Sequence, residues 1–229
     1  MSNGTEFHNC RSPISSKIRS LLITLTKRPA EYNQIAPKIE YWIEYVLRER
    51  LTTVDELVEG VSHVAWEDGG SYASVGRFLE EFRDAPHRSE QARSFVIELC
   101  SHVLRWFAIA SVENLAVARY TSMVGSGGGN GLIRAASFVG HLIGHGLLGR
   151  ELVGQHLVKP LINHFDDDGK KNWWSARANA IYQLFIAAGN TLFQGFFEAE
   201  DVRVCFETLD KYSGSGYYMP GYDNARVKV

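Results

Sequence analysis

The chain has 229 residues, 45% of them hydrophobic and 22% charged, with a formal charge of −2 and a pI near 6.4. That length suits one domain with a substantial core, and that charge excludes a binder that coats nucleic acid with its whole surface, leaving only a local basic face for such a role. No apolar run reaches the ~18 residues of a membrane span, and Met1 to Asn9 lack the apolar stretch of a secretory signal, so a cytoplasmic protein is expected, with the nucleus as the alternative.

Ser12-Pro13 sets up a first helix, with serine as cap and proline in the first turn. Ile14, Ile18, Leu21, Leu22 and Leu25 follow at helical spacing until Pro29. Tyr32, Ile35, Ile39, Trp42, Ile43, Val46 and Leu47 form a second stripe that ends near Arg50. Thr53 and Glu56 make a capping box for a third, which carries Leu57, Val58, Val61, Val64 and Ala65 and stops at Gly69-Gly70. Tyr72, Val75, Phe78, Leu79 and Phe82 predict a fourth helix, closed by Pro86. A fifth starts near Ser89, holds Phe95, Val96, Leu99, Val103 and Phe107 on one face, and extends toward Tyr120.

Residues 125–131, rich in glycine, read as a flexible connector whose register matches no phosphate-binding loop. Ile133, Ala136, Val139, Leu142 and Ile143 predict a sixth helix, broken at Gly144 and Gly146. A seventh carries Leu152, Val153, Leu157 and Leu161, with a kink at Pro160. Residues 166–171 form a charged loop, and Ser175 caps an eighth helix through Ile181, Tyr182, Phe185 and Ala188. Phe196, Phe197, Phe206 and Leu209 suggest a ninth. The expected domain spans 12–211, with 1–11 and 212–229 as flexible termini. Strand alternation is lacking, so the fold is read as all-α. Helix pairs recurring every ~32 to 45 residues fit a HEAT-like right-handed superhelix of about four to five antiparallel pairs, with a globular bundle as the rival.

Catalytic chemistry finds little support in these residues. Cys10, Cys100 and Cys205 have no CxxC or zinc spacing and read as thiols in a reducing compartment, Cys100 in the core. His141 and His145 are four apart, as two metal ligands on one helix face would be, but the glutamate of a zinc helix and a third ligand are lacking. Asp166 to Asp168 lack the later ligands of a calcium loop. No metal, cofactor or small-molecule substrate is expected, and no enzyme. Two clusters suit macromolecular contact. Lys17, Arg19, Lys27 and Arg28 offer basic charge for RNA or form a solvated face; Lys170, Lys171, Trp173 and Trp174 combine charge with stacking surface.

From Lys17 to Ile43 the sequence resembles the opening of the middle domain of eukaryotic translation initiation factor 4G, through Arg19, Leu21, Leu22, Leu25 and Thr26, then Tyr32, Ile35 and Ile39. Phe138-Val139-Gly140-His141-Leu142, with Gly146-Leu147-Leu148 after it, is similar to that family's Phe-Ile-Gly-Glu-Leu helix and following turn; Phe138, Gly140 and Leu142 are the motif residues. Leu157 to Leu161 and Ala180 to Gly189 resemble later elements in the right order. His141 stands where the family has glutamate, and Ala135 where it has asparagine. The resemblance implies a non-enzymatic adaptor in translation initiation or mRNA metabolism, with a DEAD-box RNA helicase of the initiation factor 4A type as partner. An RNA-binding module is the alternative. Leu148, Arg150, Lys170, Lys171, Trp173 and Trp174 are the expected partner contacts; Lys17, Arg19, Lys27 and Arg28 are the expected RNA contacts.

Overall fold

A computed structural model describes residues 13–66, 70–112, 128–154 and 171–191, and every element among them is helical. Two helices open the chain, α1 at Pro13–Lys27 and α2 at Tyr32–Arg48, joined by a 3-10 turn at Pro29–Glu31. Next come α3 at Val54–Ser62, running into a 3-10 turn at His63–Trp66, then α4 at Ala73–Asp84 and α5 at Glu90–Val112. After these, α6 covers Gly128–Gly144, α7 is a single turn at Arg150–Val153, and α8 covers Lys171–Ala188, with a 3-10 turn at Gly189–Thr191.

The capping box expected at the start of α3 is formed, and α5 has a serine cap where the sequence placed only a helix start. Thr53 Oγ1 accepts from the Glu56 amide at 3.2 Å while the Thr53 amide donates to the Glu56 carboxylate at 3.0 Å. At α5, Ser89 Oγ accepts from the Ala92 amide at 3.2 Å. Two helix ends share a terminator that satisfies the last carbonyls through a left-handed residue. In α6 the Gly146 amide bonds Ile143 O at 2.9 Å and the Leu147 amide bonds Leu142 O at 2.8 Å, with Gly146 at φ 65°. In α2 the Arg50 amide bonds Leu47 O at 3.2 Å and the Leu51 amide bonds Val46 O at 2.9 Å. Arg50 holds φ 54° there, a conformation glycine would adopt more cheaply.

Three sequence expectations need correction. Gly128 to Gly131 are the first turn of α6, not part of a connector. The buried stripe that begins at Leu132 draws the helix through them, despite a cost of ~1 kcal/mol per glycine relative to alanine. Gly144 remains helical, so Gly146 alone ends the helix. Ser175 lies inside α8 rather than capping it, since that helix begins at Lys171. The Ser12 cap, the extension toward Tyr120, the kink at Pro160, the ninth helix and both termini lie outside the described residues.

One apolar cluster joins these helices, from Ile18 in α1 to Ala188 in α8. α1 packs against α2, α3 and α4; α3 packs mainly on α5; and α6 contacts α4, α5 and, most extensively, α8. α2 buries Ile35, Ile39, Ile43 and Val46, one stripe at helical spacing. The opposite face of that helix is left to solvent, and it carries the surface described next.

Candidate interaction surface

Tyr41 lies two residues from the buried Ile39 and Ile43, which turns it to the far side of α2 and leaves it 59% exposed. Tyr45 follows one turn later and stacks on it, with ring centroids 5.9 Å apart and planes within 10°. Trp42 meets both rings edge-on, at 5.5 and 5.9 Å, and Lys17 Nζ from α1 sits 3.9 Å from the Trp42 ring centre. Beside this cluster runs an open groove of about 220 Å³, lined by Glu40, Tyr41, Glu44, Tyr45 and Arg48 of α2 and by Arg88.

Arg88 comes from the turn before α5, where its amide bonds Ala85 O at 3.2 Å. Its side chain is only 9% exposed; Nη2 lies 2.5 Å from Glu40 and Nη1 3.8 Å from Glu44. The guanidinium stacks on the buried Phe82 ring at 4.6 Å, and its Nε has no hydrogen-bond partner among the described residues. Ser89 Oγ donates to Glu44 at 3.3 Å. Arg48, which also lines the groove, pairs with Glu49 at 3.0 Å, both side chains being exposed. None of Tyr41, Tyr45 or Arg88 was singled out from the sequence. The available signal was a pair of tyrosines four apart on the polar side of a helix, interleaved with Glu40 and Glu44.

The four basic residues of the α1 region do not converge. Lys17 is held over Trp42, Arg28 pairs with Glu31 at 3.4 Å, and Arg19, two residues from Lys17, is half-buried on another side of the helix. Lys27, exposed, ends α1. Of the expected partner contacts, Leu148 packs in the core at 8% exposure, and Arg150 is half-buried at the start of α7. Lys171, Trp173 and Trp174 belong to the first turn of α8 and not to a loop; Lys170 lies outside the described residues. The motif residues have structural places. Phe138 and Leu142 are fully buried, with the Phe138 ring 5.2 Å from Tyr72, and Gly140 lies against the α8 backbone at Leu184.

Burial pushes the Cys100 thiol up to about 12, which keeps it protonated and unreactive at neutral pH. His145 Nδ1 is 2.7 Å from Glu80, and Arg83 donates to Gly146 O at 3.0 Å, so two contacts tie α4 to the end of α6. Among the described residues no group of three or more His, Cys, Asp or Glu could hold a metal ion. Nor is any helix there long and apolar enough to cross a membrane.

His141 makes the stability depend on pH. Burial, helped by the neighbouring His145, lowers its pKa from an ordinary 6.5 to about 4. Below pH 6.5 the unfolded chain gains a proton that the folded chain refuses until about pH 4, so stability falls as pH drops through that window. His141→Gln cannot titrate, so its melting temperature should drop less than wild type between pH 7 and pH 5. Equal drops in parallel thermal melts would remove this assignment.

Comparisons with models of known protein families, with curated proteins and with solved structures find no match.

Proposed function

We propose that this chain is a non-enzymatic adaptor that holds a protein partner on a helical scaffold. The observation that carries the reading is the outer face of α2. There Tyr41, Trp42 and Tyr45 crowd together at the surface beside a rim of paired charges. Tyrosine, tryptophan and arginine are the residues from which interface hot spots are drawn, and a stacked, pre-ordered cluster loses little rotamer entropy on binding. Cys100, buried and held protonated, is not read as a nucleophile in this proposal.

The resemblance to the initiation factor 4G middle domain supplies the finer proposal. It comprises a HEAT-like right-handed superhelix over 12–211, a cytoplasmic or nuclear role in translation initiation or mRNA metabolism, and a helicase of the initiation factor 4A type as partner. Phe138, Gly140 and Leu142 favour it, because each occupies a packing position where its size matters. Later segments are the proposed helicase contacts, through Arg150, Lys170, Lys171, Trp173 and Trp174.

The test is a calorimetric titration of the chain with purified helicase at moderate salt. Binding at micromolar concentration is expected. Lys170→Glu with Lys171→Glu should slow association, since rim charges act through steering, whereas Trp174→Ala should speed dissociation. No heat at tens of micromolar, with the chain folded, ends the helicase proposal. Binding that vanishes after RNase treatment moves the conclusion to an RNA-binding module.

A further inference from the structure

We infer that His145 is a proton-operated latch, joining the end of α6 to α4 and tightening when its ring becomes charged. The latch adds a response to the scaffold and does not depend on what the scaffold holds. Its geometry is built from both helices. His145 follows the last residue of α6, its amide bonded to His141 O at 3.0 Å, and its Nδ1 reaches Glu80 of α4 at 2.7 Å. The ring packs directly on α4, since a Cβ at Gly76 would lie 2.6 Å from His145 Cδ2 and 3.2 Å from Nε2. One residue further on, Arg83 donates to Gly146 O at 3.0 Å, so α4 also holds the terminator of α6. The His145 side chain is 26% exposed and that of Glu80 41%, so protons reach the pair from solvent.

With one ring proton the contact is a hydrogen bond between a neutral imidazole and a carboxylate. A second proton makes it an ion pair, the stronger of the two. The carboxyl end of a helix favours that added positive charge as well. Histidine ordinarily takes the proton near pH ~6.5, so the change falls within the physiological range. The neighbouring charges leave Glu80 to this task. Glu81, beside it, is occupied by Tyr32 at 2.5 Å and Arg77 at 2.8 Å, and Arg83 pairs with Asp84 at 2.6 Å. Cys100 of α5 stays protonated, Arg150 and Glu151 of α7 bring one charge of each sign, and α8 carries no acid or base from residue 178 on. His141, one turn back on α6, is the opponent. Burial, helped by His145, lowers its pKa to about 4, so it stays neutral while the latch tightens. The latch therefore contributes below pH ~6.5 and is lost above it, opposite in sign to the effect of His141.

Native-state hydrogen exchange on the full chain reads the latch at the Leu147 and Leu148 amides, which both bond Leu142 O. The Leu51 amide closes the matching terminator of α2, which contains no histidine, and serves as the control for global stability. Protection of Leu147 and Leu148 relative to Leu51, corrected for intrinsic exchange, should rise about two- to fivefold from pH 8 to pH 5.5. Added salt should shrink that rise, because the pair is partly exposed. His145→Gln should abolish it. Glu80→Gln keeps the shape and removes the charge, and it should remove most of the rise. His141→Gln should keep it. His145 and Glu80 are both partly exposed, and thermal melts verify that the variants are folded. A flat ratio in wild type, or a full rise in either His145→Gln or Glu80→Gln, overturns the inference. Loss of the rise in His141→Gln overturns it too, since the response would then belong to the buried histidine.

Discussion

Phe138→Ala should destabilise the protein by about 3–5 kcal/mol, the usual cost of truncating a buried phenylalanine. Phe138 is fully buried on α6, its ring 5.2 Å from Tyr72 at a 55° tilt, an aromatic pairing that adds to plain burial. α6 touches α4, α5 and α8, so the side chain lies where several helices converge and the emptied volume cannot close by moving one of them. Phe138→Leu keeps most of that volume and should cost about 1–1.5 kcal/mol. Urea unfolding followed by circular dichroism measures both. A loss under 1 kcal/mol for the alanine variant would mean that Tyr72 collapses into the space and the junction is not the keystone of the packing.

The fold was legible wherever one face of a helix is apolar at steady spacing. Ile35, Ile39, Ile43 and Val46 mark the inner face of α2, and Leu99, Val103 and Phe107 that of α5; all of them are buried. Cap chemistry is equally local, so the Thr53 and Glu56 capping box could be read without knowing the fold. Gly128 to Gly131 and Ser175 misled because their intrinsic preferences favour a loop and a cap, while tertiary burial of the stripes that follow decides the helix. Periodicity also says which face is buried without saying against what. That α3 packs mainly on α5, rather than on its chain neighbour α4, depends on turn geometry that no stripe encodes.

The interaction surface was harder to read for a related reason. Tyr41 and Tyr45 look like ordinary members of a polar helix face, and Arg88 like a charge in a linker. Only the packing of α5 against α2 brings Arg88 between Glu40 and Glu44 and turns scattered charges into a walled groove. Trp42 belongs to the second apolar stripe and does pack against the core, but its ring also supports Lys17 and the two tyrosines. The motif residues Phe138, Gly140 and Leu142 were legible through resemblance, yet their physical task becomes visible only where α6 meets α8.

That task is sharpest at Gly140, where substitution by alanine should destabilise and substitution by valine should do so severely. A Cβ at this position would lie 2.6 Å from Leu184 O, 2.7 Å from Ala187 Cβ and 3.0 Å from the Ala188 amide nitrogen. Two of these three atoms are helix backbone and cannot swing aside, so α6 and α8 must separate along their whole contact. Alanine gains up to ~1 kcal/mol of helix propensity over glycine, but overpacking a tight interface costs typically ~1–3 kcal/mol, so a net loss of about 1–2 kcal/mol is expected. Valine adds two methyl groups to the same collision and should cost more than ~3 kcal/mol. Gly144, one turn further along α6, is the internal control. A Cβ there would lie 3.4 Å from its nearest neighbour, Ala187 O, a tolerable contact, and the residue has no positive φ. Gly144→Ala should therefore be neutral or stabilising by up to ~1 kcal/mol. Denaturant unfolding of the three variants decides the matter. If Gly140→Ala matches wild type while Gly144→Ala is the damaging change, the line of closest approach between the two helices lies a turn away from Gly140, and the motif glycine serves something other than packing.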